Sequence, residues 1–202
     1  MSGRYALFRW NQAFAGQPGF PLGLDPHWNL APGKQVLFMR AGGELALGRW
    51  GLTPAWLADF SKSPAHARME TLADQAMFRE SFAKRRCLLP ANGFYEWRGS
   101  ARKRPYWISS EDSMMFLAGL WEIYPAHGVD YLSVAMITGA AANLRRPRVL
   151  TAEEQQLWLD PEASADDLLA LLTKPSPTLR ERALATFVND PELDAPECLT
   201  PA

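Results

Sequence analysis

Apolar positions in this chain fall in short runs, some alternating with polar residues and some continuous, and glycine or proline breaks most of them. Residues 4–10 read as a strand. "QVLFMR" and "LALGRW", within 35–50, read as two strands around a turn at "AGGE". A Gly/Pro-rich loop, "FAGQPGFPLGLDPHWNLAPGK", precedes that hairpin, and Pro54 halts regular structure in "WGLTPAW". One clear helical period follows. "DQAMFRESFAKRR" puts Phe78 and Phe82 on one face, with Thr71 and Asp74 as its capping pattern and Glu80–Lys84 as an i,i+4 pair. Lys84, Arg85 and Arg86 complement the dipole at its end.

"CLLPANGFYEW" turns at Asn92-Gly93 and resumes as a strand. "RPYWIS", "MMFLAGLWEIY" and "YLSVAMITG" predict further strands. "TAEEQQLWL" and "SADDLLALL" predict short helices capped by Thr151 and Ser164. The last stretch, "VNDPELDAPECLTPA", reads as extended. Many short strands with few helices give an α+β fold on curved, largely antiparallel, barrel-like sheet. The 202 residues suit one domain, with the acidic segment 151–202 packed into it or trailing as a tail.

Composition narrows the function. Hydrophobic residues make up 48% of the chain, enough for a core. Cys87 and Cys198 form no CxxC, and His27, His66 and His127 are scattered. No HExxH, P-loop or GxGxxG occurs, so neither a metal nor a nucleotide cofactor is expected. There is no N-terminal apolar region and no membrane-length stretch, so the expectation is a cytoplasmic protein with reduced thiols and no membrane partner. Charge is polarised. Residues 1–149 carry 18 Lys/Arg against 11 Asp/Glu, whereas 150–202 carry 3 against 11. A basic body could draw an anionic polymer and the acidic part shield it, or both are simply solvated faces.

Ten segments, in order, resemble one family. They are "GRY" (3–5), "WNLAPGKQ" (28–35), "RWGLTPAW" (49–56), "HARMET" (66–71), "FRESFAKRRCLLPANGFYEW" (78–97), "PYWI" (105–108), "AGLWE" (118–122), "TG…AN" (138–143), "RRPRVL" (145–150) and "VNDPELDAPEC" (188–198). The chain is similar to the SRAP family, the SOS-response-associated peptidases or abasic-site processing proteins. The resemblance implies a single domain with a cleft that binds single-stranded DNA, acting as a monomer, nucleoid-associated when on DNA. It implies an N-terminal cysteine, exposed by loss of Met1, that crosslinks to the aldehyde of an abasic site. It also implies help from a glutamate in "GFYEW", an asparagine in "N-A-R" and a histidine in "H-D-R-M-P". Peptidase (hydrolase) and lyase activities accompany the family name.

Carried over residue by residue, the catalytic candidates are Ser2, Glu96 and His66. Ser2 replaces the cysteine. Its α-amine can still form a Schiff base, because an α-amine titrates near 7.7–8.0. Its hydroxyl would close only a labile ring, so the adduct is expected to be reversible or to lead to strand cleavage. Alone, Ser2 would read as a frayed end. Glu96 is expected to transfer protons, against the plainer role of a strand carboxylate paired with a neighbouring arginine. His66 replaces the asparagine, either as a base or as a hydrogen-bonding substitute. "RRPRVL" aligns with the "RMPVIL" end of the last motif, and its histidine is missing. Arg4, Asn29, Pro32, Trp56, Arg68 and Arg145 match positions expected around the DNA strand. Arg85 and Arg86 are weaker candidates, and Trp28, Trp50, Trp97 and Trp121 read as core. Three functions compete: an enzyme on abasic DNA, a degenerate relative that only binds damaged or single-stranded DNA, and a hydrolase whose serine uses its own amine as base.

Overall fold

A computed structural model describes residues 3–112, 114–142 and 144–202. The order along the chain is β1 (Tyr5–Leu7), α1 (Gln12–Ala15), β2 (His27–Leu30), β3 (Gln35–Met39), β4 (Leu45–Trp50), β5 (His66–Arg68), α2 (Arg79–Lys84), β6 (Arg86–Ala91), β7 (Gly93–Arg98) and β8 (Arg104–Ser109). It continues with β9 (Met115–Ala126), β10 (Val129–Ala141), β11 (Leu144–Pro147), β12 (Val149–Leu150), α3 (Ala152–Leu159), α4 (Ala165–Thr173) and β13 (Arg180–Ala183).

Two sheets result. In the larger, β10, β4, β3, β6 and β9 hydrogen-bond in sequence, and β9 returns to β10, closing a five-strand barrel. Closure abolishes the open edges that a curved sheet would otherwise expose. The fold is α+β and mostly antiparallel, with β4 and β5 running parallel to β10. The smaller sheet has the order β13-β8-β7-β1-β2 and is antiparallel throughout. All six residues of β6 and the first four of β7 are buried. These consecutive strands, one in each sheet, are covered on both faces, which explains their continuous apolar run.

Asn92 is the corner where the chain leaves the barrel for the smaller sheet. It is buried, its Oδ1 accepts from the N–H groups of Phe8 (2.7 Å) and Arg9 (3.0 Å), and its Nδ2 donates to the Arg9 carbonyl (2.8 Å). The side chain thus satisfies backbone that no strand serves.

The expected hairpin and the two late helices are present. Thr151 caps α3 in a reciprocal box with Glu154, and Ser164 caps α4. The middle helix is shorter than expected. It begins at Arg79 without a side-chain cap, while Thr71 Oγ1 accepts instead from Gln75 Nε2 (3.0 Å). Leu72 and Phe78 are both buried. A helix would hold residues six apart on different faces, and turns let both reach the core. The C-terminal stretch is not simply extended. It contains two 3-10 turns, Thr186–Asn189 and Pro196–Leu199, and follows β13, which pairs with β8. Its Leu184, Val188 and Cys198 pack with Ala6, Tyr95 and Trp107 in a second small core. Within the acidic segment, α3 and α4 pack into the barrel core and the residues from Leu184 onward pack against the smaller sheet. Trp50 is fully buried as expected, while Trp28, Trp97 and Trp121 are half-buried.

Candidate functional site

The register of β1 on β7 sets the site. Tyr5 pairs with Phe94, Ala6 with Gly93, and the Tyr95 N–H donates to the Arg4 carbonyl (3.0 Å). One more antiparallel step puts Gly3 opposite Glu96. Ser2 lies outside the described residues, as does Asn143. On its other side β7 needs glycine at position 93 to pack against β8: a Cβ there would stand 2.3 Å from the Trp107 indole and 2.6 Å from the Ile108 carbonyl.

Glu96 is 2% exposed and gripped by two arginines. Arg98, two residues along and on the same face of β7, donates from Nε (3.0 Å) and Nη2 (2.6 Å) to Oε2. Arg146 of β11 donates from Nε to Oε1 (2.6 Å) and from Nη2 to Oε2 (3.1 Å). Glu181 of β13 closes a ring of alternating charges, accepting from Arg98 Nη1 (2.7 Å) and Arg146 Nη2 (2.6 Å). Oε2 takes three of these guanidinium hydrogen bonds and Oε1 takes one, so arginines hold Glu96 at both oxygens. The geometry is that of a strand carboxylate paired with neighbouring arginines.

The hydrogen bonds from Arg98 and Arg146 depress the Glu181 carboxyl to about 2. Bonds to Glu181 and to Glu96, respectively, raise the Arg98 and Arg146 guanidinium groups. The linkage has a definite sign. Glu181 contributes its full stabilisation above the ordinary carboxylate range, near pH 4.3, and loses it as pH falls toward 2. Its side chain is 39% exposed, so solvent screening leaves about 1 kcal/mol. Urea unfolding at about pH 5 and about pH 2.5 is expected to show a smaller acid loss, by that amount, in Glu181→Gln than in the parent protein.

The other candidates divide into two groups. Arg4 donates to Asn29 Oδ1 (3.2 Å) and to the Val188 carbonyl, and lies 5.0 Å from the Trp97 ring. Burial lowers its guanidinium. Asn29 is buried and donates to the carbonyls of Asp190 (3.0 Å) and Leu193 (2.8 Å). These two residues hold the C-terminal segment in place. On β5, β10 and β11, Arg145 grips Glu70 with both terminal nitrogens (3.2 and 2.6 Å) and donates to the Thr138 carbonyl (2.7 Å). Arg68 pairs in register with Thr138 and is exposed. His66 meets the Trp50 ring edge-on at 5.5 Å, and Trp50 meets Tyr5 of β1 at 5.3 Å. Pro32 is exposed in a turn with Gly33, whose φ of 91° needs glycine. Trp56 is 59% exposed. Arg85 binds Glu122 (2.8 Å), and Arg86 is buried, so neither is an open cation.

The family described as SOS response associated peptidase (SRAP) matches residues 1–191. This chain belongs to the SRAP family. Among curated SRAP relatives, "Abasic site processing protein YoqW" of Bacillus subtilis is 31% identical over 191 residues, covering 86% of this chain and 85% of that protein. "Abasic site processing protein HMCES" of Xenopus tropicalis is 29% identical over 190 residues, covering 77% of this chain and 56% of that protein. Among solved structures, a protein from Bacteroides thetaiotaomicron superposes with a TM-score of 0.80 at 25% identity, covering 89% of this chain and 87% of that one.

The SRAP pattern makes Glu96 legible but not its partners. Arg98 had a local signal, its i+2 position on a strand. Arg146 stands where the aligned motif has methionine. Glu181 had no signal, since β13 was not expected. Among the described residues no group of three or more His, Cys, Asp or Glu side chains could hold a metal ion. No helix among them is long and apolar enough to cross a membrane.

Proposed function

We propose that this SRAP protein engages single-stranded DNA at abasic sites and that its N-terminal residue reacts with the open-chain aldehyde. The names of the relatives support abasic-site DNA processing as the general class. The observation that carries the finer reading is the β1–β7 register, which leads the start of the chain toward Glu96 and its arginines. With Met1 removed, the Ser2 α-amine adds to the aldehyde carbon. The resulting carbinolamine loses water and leaves a Schiff base. About a fifth to a third of such an amine is unprotonated near pH 7.4. Arg68 and the exposed Trp56 are suited to a phosphate and a base beside the lesion.

The occupied oxygens of Glu96 favour a second reading, a relative that binds such DNA without covalent chemistry. Borohydride trapping on a single-stranded oligonucleotide with one abasic site separates the two. The first reading expects a reduced adduct that maps to the N-terminal residue and disappears when the α-amine is acetylated. DNA binding with no trapped adduct would sink it and leave the second.

A further inference from the structure

We propose that Arg98 and Arg146 form a fork for a DNA backbone phosphate, and that Glu181 fills this fork in the free protein as a displaceable stand-in. The inference rests on the DNA-binding reading above and adds a ligand group and a self-limiting contact to the same site.

The fork has a fixed floor and an open top. Glu96 beneath is 2% exposed and takes bonds from both guanidinium groups, so their orientation does not depend on Glu181. Glu181 above is 39% exposed and receives one terminal N–H from each arginine. Two donors aimed at two oxygens of one anion also suit the two non-bridging oxygens of a phosphodiester. The charge matches too. Two arginines and Glu96 sum to one positive charge, which one phosphodiester neutralises as Glu181 does now. Glu181 is ionised at neutral pH both in the fork and when released into water, where an ordinary glutamate titrates near 4.3. The exchange is therefore one anion for another and needs no proton.

Two further observations place a ligand there. The fork opens into a cleft of about 740 Å³ lined by Trp97, Lys103 and Leu144 as well as Arg98, Arg146 and Glu181. That is room for a nucleotide, with an indole face and a further cation. Glu181 also sits on β13, the outermost strand of its sheet, which borders β8 and not β7. It can withdraw without unpairing β7, the strand that carries Glu96 and Arg98.

The test uses undamaged oligothymidine, read by fluorescence anisotropy across a salt series. Glu181→Gln is expected to bind about five- to tenfold more tightly at low salt. Its log K against log salt should steepen by about 0.7, the slope of one additional phosphate on a single strand. Unchanged affinity and slope would overturn the proposal. Arg98→Gln added to Glu181→Gln gives an independent reading. It should remove the gained affinity and return the slope to about the native value, and a double variant that keeps the steeper slope would overturn the proposal equally. Because the probe has no aldehyde, a failed trapping experiment leaves this result standing, and a failed salt series leaves the trapping result standing.

Discussion

Replacing Ser2 by cysteine is expected to turn an adduct that needs borohydride into one that survives without it. Both residues present the same α-amine, so the Schiff base forms alike. The difference lies in the next step. A thiol at the Cβ adds through sulfur to the imine carbon, the nitrogen takes the proton, and a five-membered thiazolidine closes. A hydroxyl can make the analogous ring, but oxygen there leaves readily and the imine returns. Thiols near pKa 8.5 supply enough thiolate at neutral pH to drive closure, whereas a serine hydroxyl is not appreciably ionised. Denaturing electrophoresis after heating, without reductant, should show roughly tenfold or more surviving adduct for Ser2→Cys than for the native protein. If Ser2→Cys gives none while DNA binding persists, the surroundings of the chain start do not support the chemistry, and the binding-only reading stands.

Replacing Arg86 by alanine is expected to cost about 3–4 kcal/mol of stability. Arg86 is 6% exposed. It donates to the carbonyls of Phe82 (2.7 Å) and Ala83 (2.8 Å) at the end of α2, and of Trp158 (2.7 Å) and Asp160 (2.6 Å) at the end of α3. Its guanidinium also faces the Trp158 ring at 5.9 Å. One side chain thus serves the negative ends of two helices and ties both to the barrel through β6. Alanine would remove this donor from all four carbonyls, leaving that of Asp160 with the Ala163 N–H, and open a void beside Trp158. Lysine keeps the charge but concentrates its donors on one nitrogen, so about half the loss is expected. Urea titration should show a lower midpoint at unchanged slope for both variants.

The contrast between Arg86 and its neighbours shows what the sequence could reveal. Lys84, Arg85 and Arg86 are one basic run, and charge patterning cannot tell which member turns inward. That depends on α3, more than sixty positions later in the chain. The hairpin of β3 and β4 and the capped helices α3 and α4 were legible because their determinants are local. The start of α2 was not, because burying both Leu72 and Phe78 outweighs a local capping pattern. The site divides in the same way. Glu96 was visible in its motif and Arg98 in strand alternation. Arg146 and Glu181 reach it from other strands, so no neighbouring pattern announces them. Asn29 and Arg4 matched a DNA-binding pattern, yet their hydrogen bonds hold the C-terminal segment.

β10 completes the barrel ring, pairing with β9 on one side and with β4 on the other, where Val134 meets Trp50. A contact between positions so far apart carries a large chain-closure entropy, which slows folding. It also imposes an order during synthesis. β4 leaves the ribosome long before β10, and β13 comes later still, so Glu181 arrives after both of its arginine partners. A nascent chain stalled before residue 180 would carry Arg98 and Arg146 with only Glu96 to balance them.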